Sequence, residues 1–246
     1  MKTEGFQPRT YRHWIESKDL VAFNVTEKET DLYIRAAANL QRRAHRLVLK
    51  YRHQLEGYIE RNADFRTSLE PLSVPGNAPA IVRRMANAGQ LAGVGPMASV
   101  AGAIAECVGK ELLAFTPEVI VENGGDIFLK IKKNRVAGVF AGESPLTGKI
   151  GLEIDARNTP LGICTSSGTV GHSLSYGKAD AVIVTAADTA LADAAATAIG
   201  NRVNKPDDTG RALEFAQSIN GLKGVIIITG DKVGAWGDIK LCETGA

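Results

Sequence analysis

The chain has only three cysteines, Cys107, Cys164 and Cys242, and no Cys-x-x-Cys pair. An odd, scattered set of thiols argues against a disulfide framework and a zinc site, and fits a reducing cytoplasm. Long apolar runs are also missing: nothing approaches the roughly 20 residues needed to span a bilayer. The first residues, Met1-Lys2-Thr3-Glu4-Gly5-Phe6, carry neither the apolar stretch of a secretory signal nor a cysteine for lipidation. We therefore expect a cytoplasmic protein with no membrane partner. Charge of one sign is lacking too. With 29 basic and 27 acidic residues the net charge is +2, which is too small to argue for a nucleic-acid partner. What remains is a chain of 246 residues, 44% apolar and with 26 glycines. It is long enough to bury a large core and rich in tight turns.

Apolar periodicity organises the chain. Residues 20–36 alternate as a hairpin around Glu27-Lys28-Glu29-Thr30. Residues 37–62 read as a helix with Leu40, Leu47, Tyr51, Leu55, Tyr58 and Ile59 on one stripe. Arg42, Arg43, Arg46, Lys50 and Arg52 lie mostly off that stripe, as a solvated face or an anion-binding one. A polar connector over 63–78 leads to helical stretches broken by Gly89, Gly93, Gly95 and Pro96 and resumed from Met97 to Leu113. Strands are expected over 118–122 and 126–131, joined at Asn123-Gly124-Gly125, and over 136–140. The second half reads as strands 149–155 and 181–185, helices 189–203 and 210–219, and strands 224–229 and 238–242. Strands interrupted by paired helices predict an α+β fold, with antiparallel sheet and helices on one face. A single domain over 1–246 is expected, with two pseudo-repeats of a strand-helix-helix-strand unit at about 18–141 and 149–243.

Four segments could carry chemistry. Ile163 to Ser173 is a strand running into a Ser/Gly loop, either an anion cradle or an ordinary turn. His172 follows that loop, where a general base could reach a bound group; a loop histidine bonded to local backbone is the plainer reading of the residue alone. Adjacent Gly124 and Gly125 allow positive φ and close approach of a ligand, but a plain hairpin needs them too. Gly93-Val94-Gly95-Pro96-Met97-Ala98-Ser99 could present a helix N-terminus to phosphate. It is neither a Walker motif nor a dinucleotide fingerprint. In the Ala-rich stretch 187–201, Asp193 and Thr197 stand four residues apart, on one face of a helix. A carboxylate and a hydroxyl suit Mg²⁺; a buried helix with Asp193 near its N-terminal dipole is the plainer alternative.

In order and spacing, these segments resemble the ApbE family of flavin transferases. The matching residues are Gly124-Gly125-Asp126, Thr165-Ser166-Ser167-Gly168, His172 and Asp193-Ala194-Ala195-Ala196-Thr197-Ala198, preceded by a Gly/Ala-rich helix from Gly95 to Gly109. The resemblance covers about residues 90–200. It implies a T-fold-like arrangement, FAD as the bound dinucleotide and Mg²⁺ near its pyrophosphate. It further implies Asp193 and Thr197 as metal ligands, and Gly124, Gly125, Thr165, Ser166, Ser167 and Gly168 along the cofactor. His172 would stand where the family's candidate base lies, and a protein could be the flavin acceptor.

The chain departs from the transferases in two places. Thr169-Val170 stands where an acid and an aromatic usually follow the Ser-Gly, and Leu174-Ser175-Tyr176-Gly177-Lys178 replaces an Asp-Pro-x-x-Gly stretch. In this, and in its short length, it is similar to a small ApbE-related family of anaerobic bacteria and archaea whose activity is not established, some members of which are associated with sulfur assimilation. The expected function is thus a Mg²⁺-dependent enzyme acting on a flavin or dinucleotide pyrophosphate. The alternatives are a non-catalytic module binding a small molecule or partner, and an accessory factor in sulfur assimilation using Cys164, whose place at the end of an apolar strand also suits a buried, inert thiol. Oligomeric state is left open.

Overall fold

Alternation of apolar and polar residues makes two facing strands of residues 21–36. In a computed structural model, which describes residues 15, 17–168 and 177–244, they form β1 (Val21–Glu27) and β2 (Thr30–Ala36), paired antiparallel. The chain then enters α1 (Gln41–Arg61), a short turn of helix α2 (Asp64–Thr67), and α3 (Ala80–Ala92). A 3₁₀ turn over Pro96–Ser99 leads into α4 (Val100–Leu112), which lies at 104° to α3. Strands β3 (Val119–Asn123), β4 (Asp126–Lys130), β5 (Arg135–Gly138), β6 (Ile150–Ile154), β7 (Leu161–Ser166) and β8 (Ala181–Ala186) follow. The chain closes with α5 (Thr189–Gly200), α6 (Thr209–Ser218), β9 (Leu222–Thr229), β10 (Lys232–Gly237) and β11 (Leu241–Glu243).

Eight strands form one antiparallel sheet in the order β1-β2-β3-β4-β7-β8-β9-β10. The architecture is the expected α+β one, with antiparallel sheet and helices packed on it. The order strand-strand-helices-strand-strand occurs in both halves; a repeated order does not by itself show a duplication. A feature not foreseen is a separate three-stranded sheet, β11-β6-β5. The strand expected over 238–242 is also different: β10 ends at Gly237 and β11 begins at Leu241.

Period-two alternation sorts the large sheet's side chains into two cores. Val121, Phe128, Cys164, Val182, Val184, Val225 and Ile227 face the helices. Ile120, Leu129, Leu161, Ile163, Ile183 and Ile226 face the small sheet, with Leu152 and Ile154. Each fully buried aliphatic side chain contributes roughly 1.5–3 kcal/mol, so both faces hold the sheet in place. The basic residues of α1 are partly used in packing. Arg52 binds Glu29 at 2.8 Å and Glu56 at 2.7 Å, and Arg43 lies 3.9 Å over the Phe115 ring. Among the described residues no single helix is long and apolar enough to cross a membrane.

The centre of the helical layer is α5. Eleven of its twelve residues are buried, and most are alanine, so β7, β8, α3 and α4 all approach it closely. Its start is fixed by two carboxylates. Asp188 accepts from the Leu191 amide at 3.1 Å, and the fully buried Glu106 of α4 accepts from the Thr189 amide at 2.8 Å. Arg84 of α3 joins both acids, at 2.9 Å to Glu106 and 2.6 Å to Asp188, and Lys110 also pairs with Glu106. This network locks the axial rotation of α5, and hence the direction in which Asp193 points.

Candidate functional site

Asp193 sits on the second turn of α5, buried against the start of α4. Its Oδ2 accepts from the Gly102 amide at 2.8 Å, and the Ala101 amide adds to it. The contact requires glycine at 102. A Cβ there would stand 2.5 Å from the Thr189 carbonyl oxygen and 2.9 Å from the Asp193 Cβ. The carbonyl of Ala101 in turn accepts from Asn123 Nδ2 at 3.1 Å. Asn123 precedes the Gly124-Gly125 turn, so the first turn of α4 is tied to α5 on one side and to the β3–β4 hairpin on the other.

That turn has the two residues of a tight hairpin, with φ of 67° at Gly124 and 107° at Gly125, a region side chains rarely enter. The Gly125 amide donates to Glu122 Oε1 at 2.9 Å. Nothing lies within 4 Å of where a Cβ would stand on either glycine, so an approaching ligand would meet bare backbone. Asp126 ends the turn and points to the helical side. Burial and the nearby Glu122 push its carboxyl up to about 7, although the Cys164 thiol and the Thr165 amide favour the charged form. Asp126 Oδ1 is buried and has no hydrogen-bond partner among the described residues. Burial, together with the Asp126 charge, raises Asp193 well above the ordinary carboxylate range. Two interacting carboxylates thus share a buried site, an arrangement a hard cation would relieve.

Strand β7 forms the next wall. Gly162, Cys164 and Ser166 face α5, and Gly162 is bare because Thr189 fills the space a Cβ would take. Cys164 is fully buried, between Asp126 and the Thr189 carbonyl, to which it donates at 3.4 Å. Burial, first of all, lifts its thiol well above the usual range, which fits an inert thiol. Ser166 Oγ is also buried without a partner among the described residues.

The structure brings Gly124, Gly125, Asp193 and Ser166 to one region of the helical side, and Thr197 lies one turn beyond Asp193 on α5. The Thr165 side chain is not brought there. Thr165 and Ser166 belong to strand β7 rather than to a loop, and alternation turns Thr165 toward the other face with Ile163. Only its amide reaches Asp126. Ser167 is half-buried and Gly168 exposed, at the strand's end. His172, the expected base, lies outside the described residues. The glycine-rich entry to α4 does not offer a free amide at Gly95, which donates to the Leu69 carbonyl at 2.7 Å. The dipole reading of Asp193 is likewise corrected: Asp188 and Glu106 serve the N-terminus of α5, while Asp193 binds the amides of α4.

Sequence reasoning passed over Asp126 as a site residue, although it completes the Gly-Gly-Asp motif. It also missed Asn123 and Glu106. Glu106 alone had a visible signal, as an acid inside an Ala/Gly/Val helix. Among the described residues no three His, Cys, Asp or Glu side chains converge on a metal position. A hard ion here would draw on Asp193, Asp126 and the Thr197 hydroxyl, with other oxygens completing its shell, and the orphaned Asp126 oxygen fits that use.

The antiparallel sheet with paired helices is an ApbE-like fold. Solved structures with this fold include a Pseudomonas stutzeri flavinyl transferase ApbE, with TM-score 0.58, 16% identity and coverage of 88% of this chain and 93% of that one. A Vibrio cholerae flavin transferase ApbE matches with TM-score 0.56 and 12% identity, over 92% and 97% of the two chains. A family model described as "AbpE bacteria" matches residues 12–233. The chain belongs to that family. A UPF0280 protein of Methanocaldococcus jannaschii is 46% identical over 218 residues, covering 86% of this chain and 88% of the relative. One of Methanococcus aeolicus is 45% identical over 216 residues, covering 86% and 84%.

Proposed function

We propose that the chain binds Mg²⁺ and a flavin or related dinucleotide at the Asp193 corner and acts on the pyrophosphate. The observation that carries this reading is the buried, unpartnered Asp126 Oδ1 beside Asp193. A buried corner holding two neighbouring acids is costly unless a cation joins them. Asp193, Thr197 and Asp126 would hold the ion, which supplies charge neutralisation at a phosphoryl oxygen when bound. The backbone of Gly124 and Gly125 would line the pyrophosphate, and Ser166, Ser167 and Gly168 the rest of the ligand. Gly102 and Asn123 orient the site by fixing α4 against Asp193 and the hairpin. His172 is assigned the base role, and a protein is the candidate acceptor for the transferred group.

Calorimetric titration of FAD with and without Mg²⁺ tests the reading. Binding that requires Mg²⁺ and disappears in Asp193→Ala is the expected result. Absence of Mg²⁺-dependent affinity for any flavin or nucleotide overturns it. A second reading, a non-catalytic binding module, draws on Thr169-Val170 standing where the transferases carry an acid and an aromatic. It is favoured instead if ligand binding survives chelation and no turnover follows.

A further inference from the structure

The face of the large sheet opposite α5 carries a second opening. Between it and the three-stranded sheet lies a cleft of about 630 Å³, within the range of small-molecule sites. Its lining is aliphatic at the base, with Leu152, Ile154 and Leu161, and contains no aromatic side chain among the described residues. A flavin or nucleobase would find no ring to stack on among these residues.

The cleft's charges decide what it takes. Asp19 holds Arg135 at 2.9 Å and Lys133 at 3.4 Å, and Glu153 holds Lys240. Asp155 is taken by Arg157 at 2.5 Å. Those charges are satisfied within the protein. Lys18 and Lys223 also line the cleft, and neither has a carboxylate within ion-pair distance among the described residues. Among the described residues Lys223 Nζ reaches only the Asn158 carbonyl, at 3.5 Å. The two lysines stand at opposite ends. Lys18 adjoins Asp19, which Arg135 of β5 holds. The Lys223 carbonyl accepts from the Asp238 amide at 2.8 Å, near the β11 side, and β6 runs between these two edges. Asp238 lines the Lys223 end without a cation of its own within ion-pair distance among the described residues. It would accept a hydrogen bond from a ligand.

We infer that this cleft is a binding site for a small aliphatic dianion carrying a hydroxyl. One anionic group pairs with Lys18, the other with Lys223, the carbon chain lies on the leucine and isoleucine floor, and the hydroxyl donates to Asp238. A hydroxydicarboxylate has this chemistry. The inference does not rest on the flavin reading.

Calorimetry at low ionic strength tests it, with malate as the probe and succinate, glycerol 3-phosphate (one anionic group) and acetate as controls. One-site binding of malate is expected, with succinate and glycerol 3-phosphate weaker and acetate weaker still. The double charge reversal of Lys18→Glu and Lys223→Glu should weaken binding at least about tenfold, as loss of charge-assisted bonds does. Binding should persist in Asp193→Ala, so failure here is distinct from failure of the flavin reading. Should the double reversal lose its fold by circular dichroism, Lys18→Met with Lys223→Met serves in its place. Absence of saturable malate binding overturns the proposal. So does acetate binding as tightly as malate, or an affinity that the lysine substitutions leave unchanged.

Discussion

The two faces of the large sheet handle acidic residues in opposite ways. On the side of the small sheet, Asp19, Glu153 and Asp155 each have an arginine or lysine partner and sit near water. On the helical side, Glu106 is partnered by Arg84 and Lys110, but Asp126 and Asp193 face each other with amides and a thiol as their support. Paired acids in water need nothing further. Buried, unpaired acids cost stability unless something absent from the bare chain joins them. The contrast marks the Asp126–Asp193 corner as a place where stability is given up, as it commonly is at functional sites.

The largest effect is expected where a buried acid is fully partnered. Glu106→Ala removes the acceptor of the Thr189 amide and leaves Arg84 and Lys110 facing a gap. Loss of one member of such a network costs about 3 kcal/mol or more, and in a chain of this size each kcal/mol lowers Tm by roughly 2–4 °C. Scanning calorimetry checks it. A Tm within error of the parent would show that the network does not hold α5.

The contrast sharpens at Asp126, where the sign reverses. Its folded carboxyl lies at about 7 against an ordinary 3.8. The folded state therefore binds more protons than the unfolded one between those values, and stability falls as pH rises through that window. Asp193, raised in the same direction, adds to the fall. Denaturant unfolding of the metal-free chain should lose a few kcal/mol from pH 4 to pH 7. Asp126→Asn should flatten the curve and stabilise the chain at pH 7, and Mg²⁺ should restore the parent at that pH. A profile rising over this window would remove the electrostatic argument for the site.

These two acids also show how far the sequence could be read. The β1–β2 hairpin, α1, α5 and the Gly-Gly turn were legible because alternation, helical spacing and turn chemistry are local. Asp193 and Thr197 were legible as a pair because four residues make one helical turn. The three-stranded sheet was not, since β11 pairs with β6 some 90 residues away, as in Cys242 opposite Gly151. β10 was missed because Lys-Val-Gly-Ala-Trp-Gly has little β-branched content and gains its strand form from the Ile-rich β9 beside it. Asp126 reads as a turn residue until packing shows its oxygen sealed from water, and the face toward which Thr165 points depends on where β7 stops.

A smaller loss is expected at Gly102, where α4 and α5 nearly touch. Gly102→Ala places a methyl 2.5 Å from the Thr189 carbonyl. The helices must separate, at a cost of about 2 kcal/mol, and the Gly102 amide moves off Asp193. Equilibrium unfolding reads the first effect, and the Mg²⁺ dependence of FAD binding reads the second. A variant as stable as the parent and equally responsive to Mg²⁺ would show that the close crossing does not set the site.

The smallest effect belongs to the exposed face. The Arg157 side chain holds Asp155 down to about 2, below its ordinary 3.8, by hydrogen bonding first. For a depressed carboxyl the stabilising contribution is present above the unfolded value and disappears as pH falls through the folded one. Solvent screens this pair fully, and Arg157 is 88% exposed. Asp155→Asn should therefore leave Tm at neutral pH within measurement error and alter the acid-unfolding curve only between pH 4 and pH 2. A clear neutral-pH loss would mean that the small sheet relies on its ion pairs for more than solubility. The difference between the two faces would then lie in which ligand each awaits, rather than in how each treats its charges.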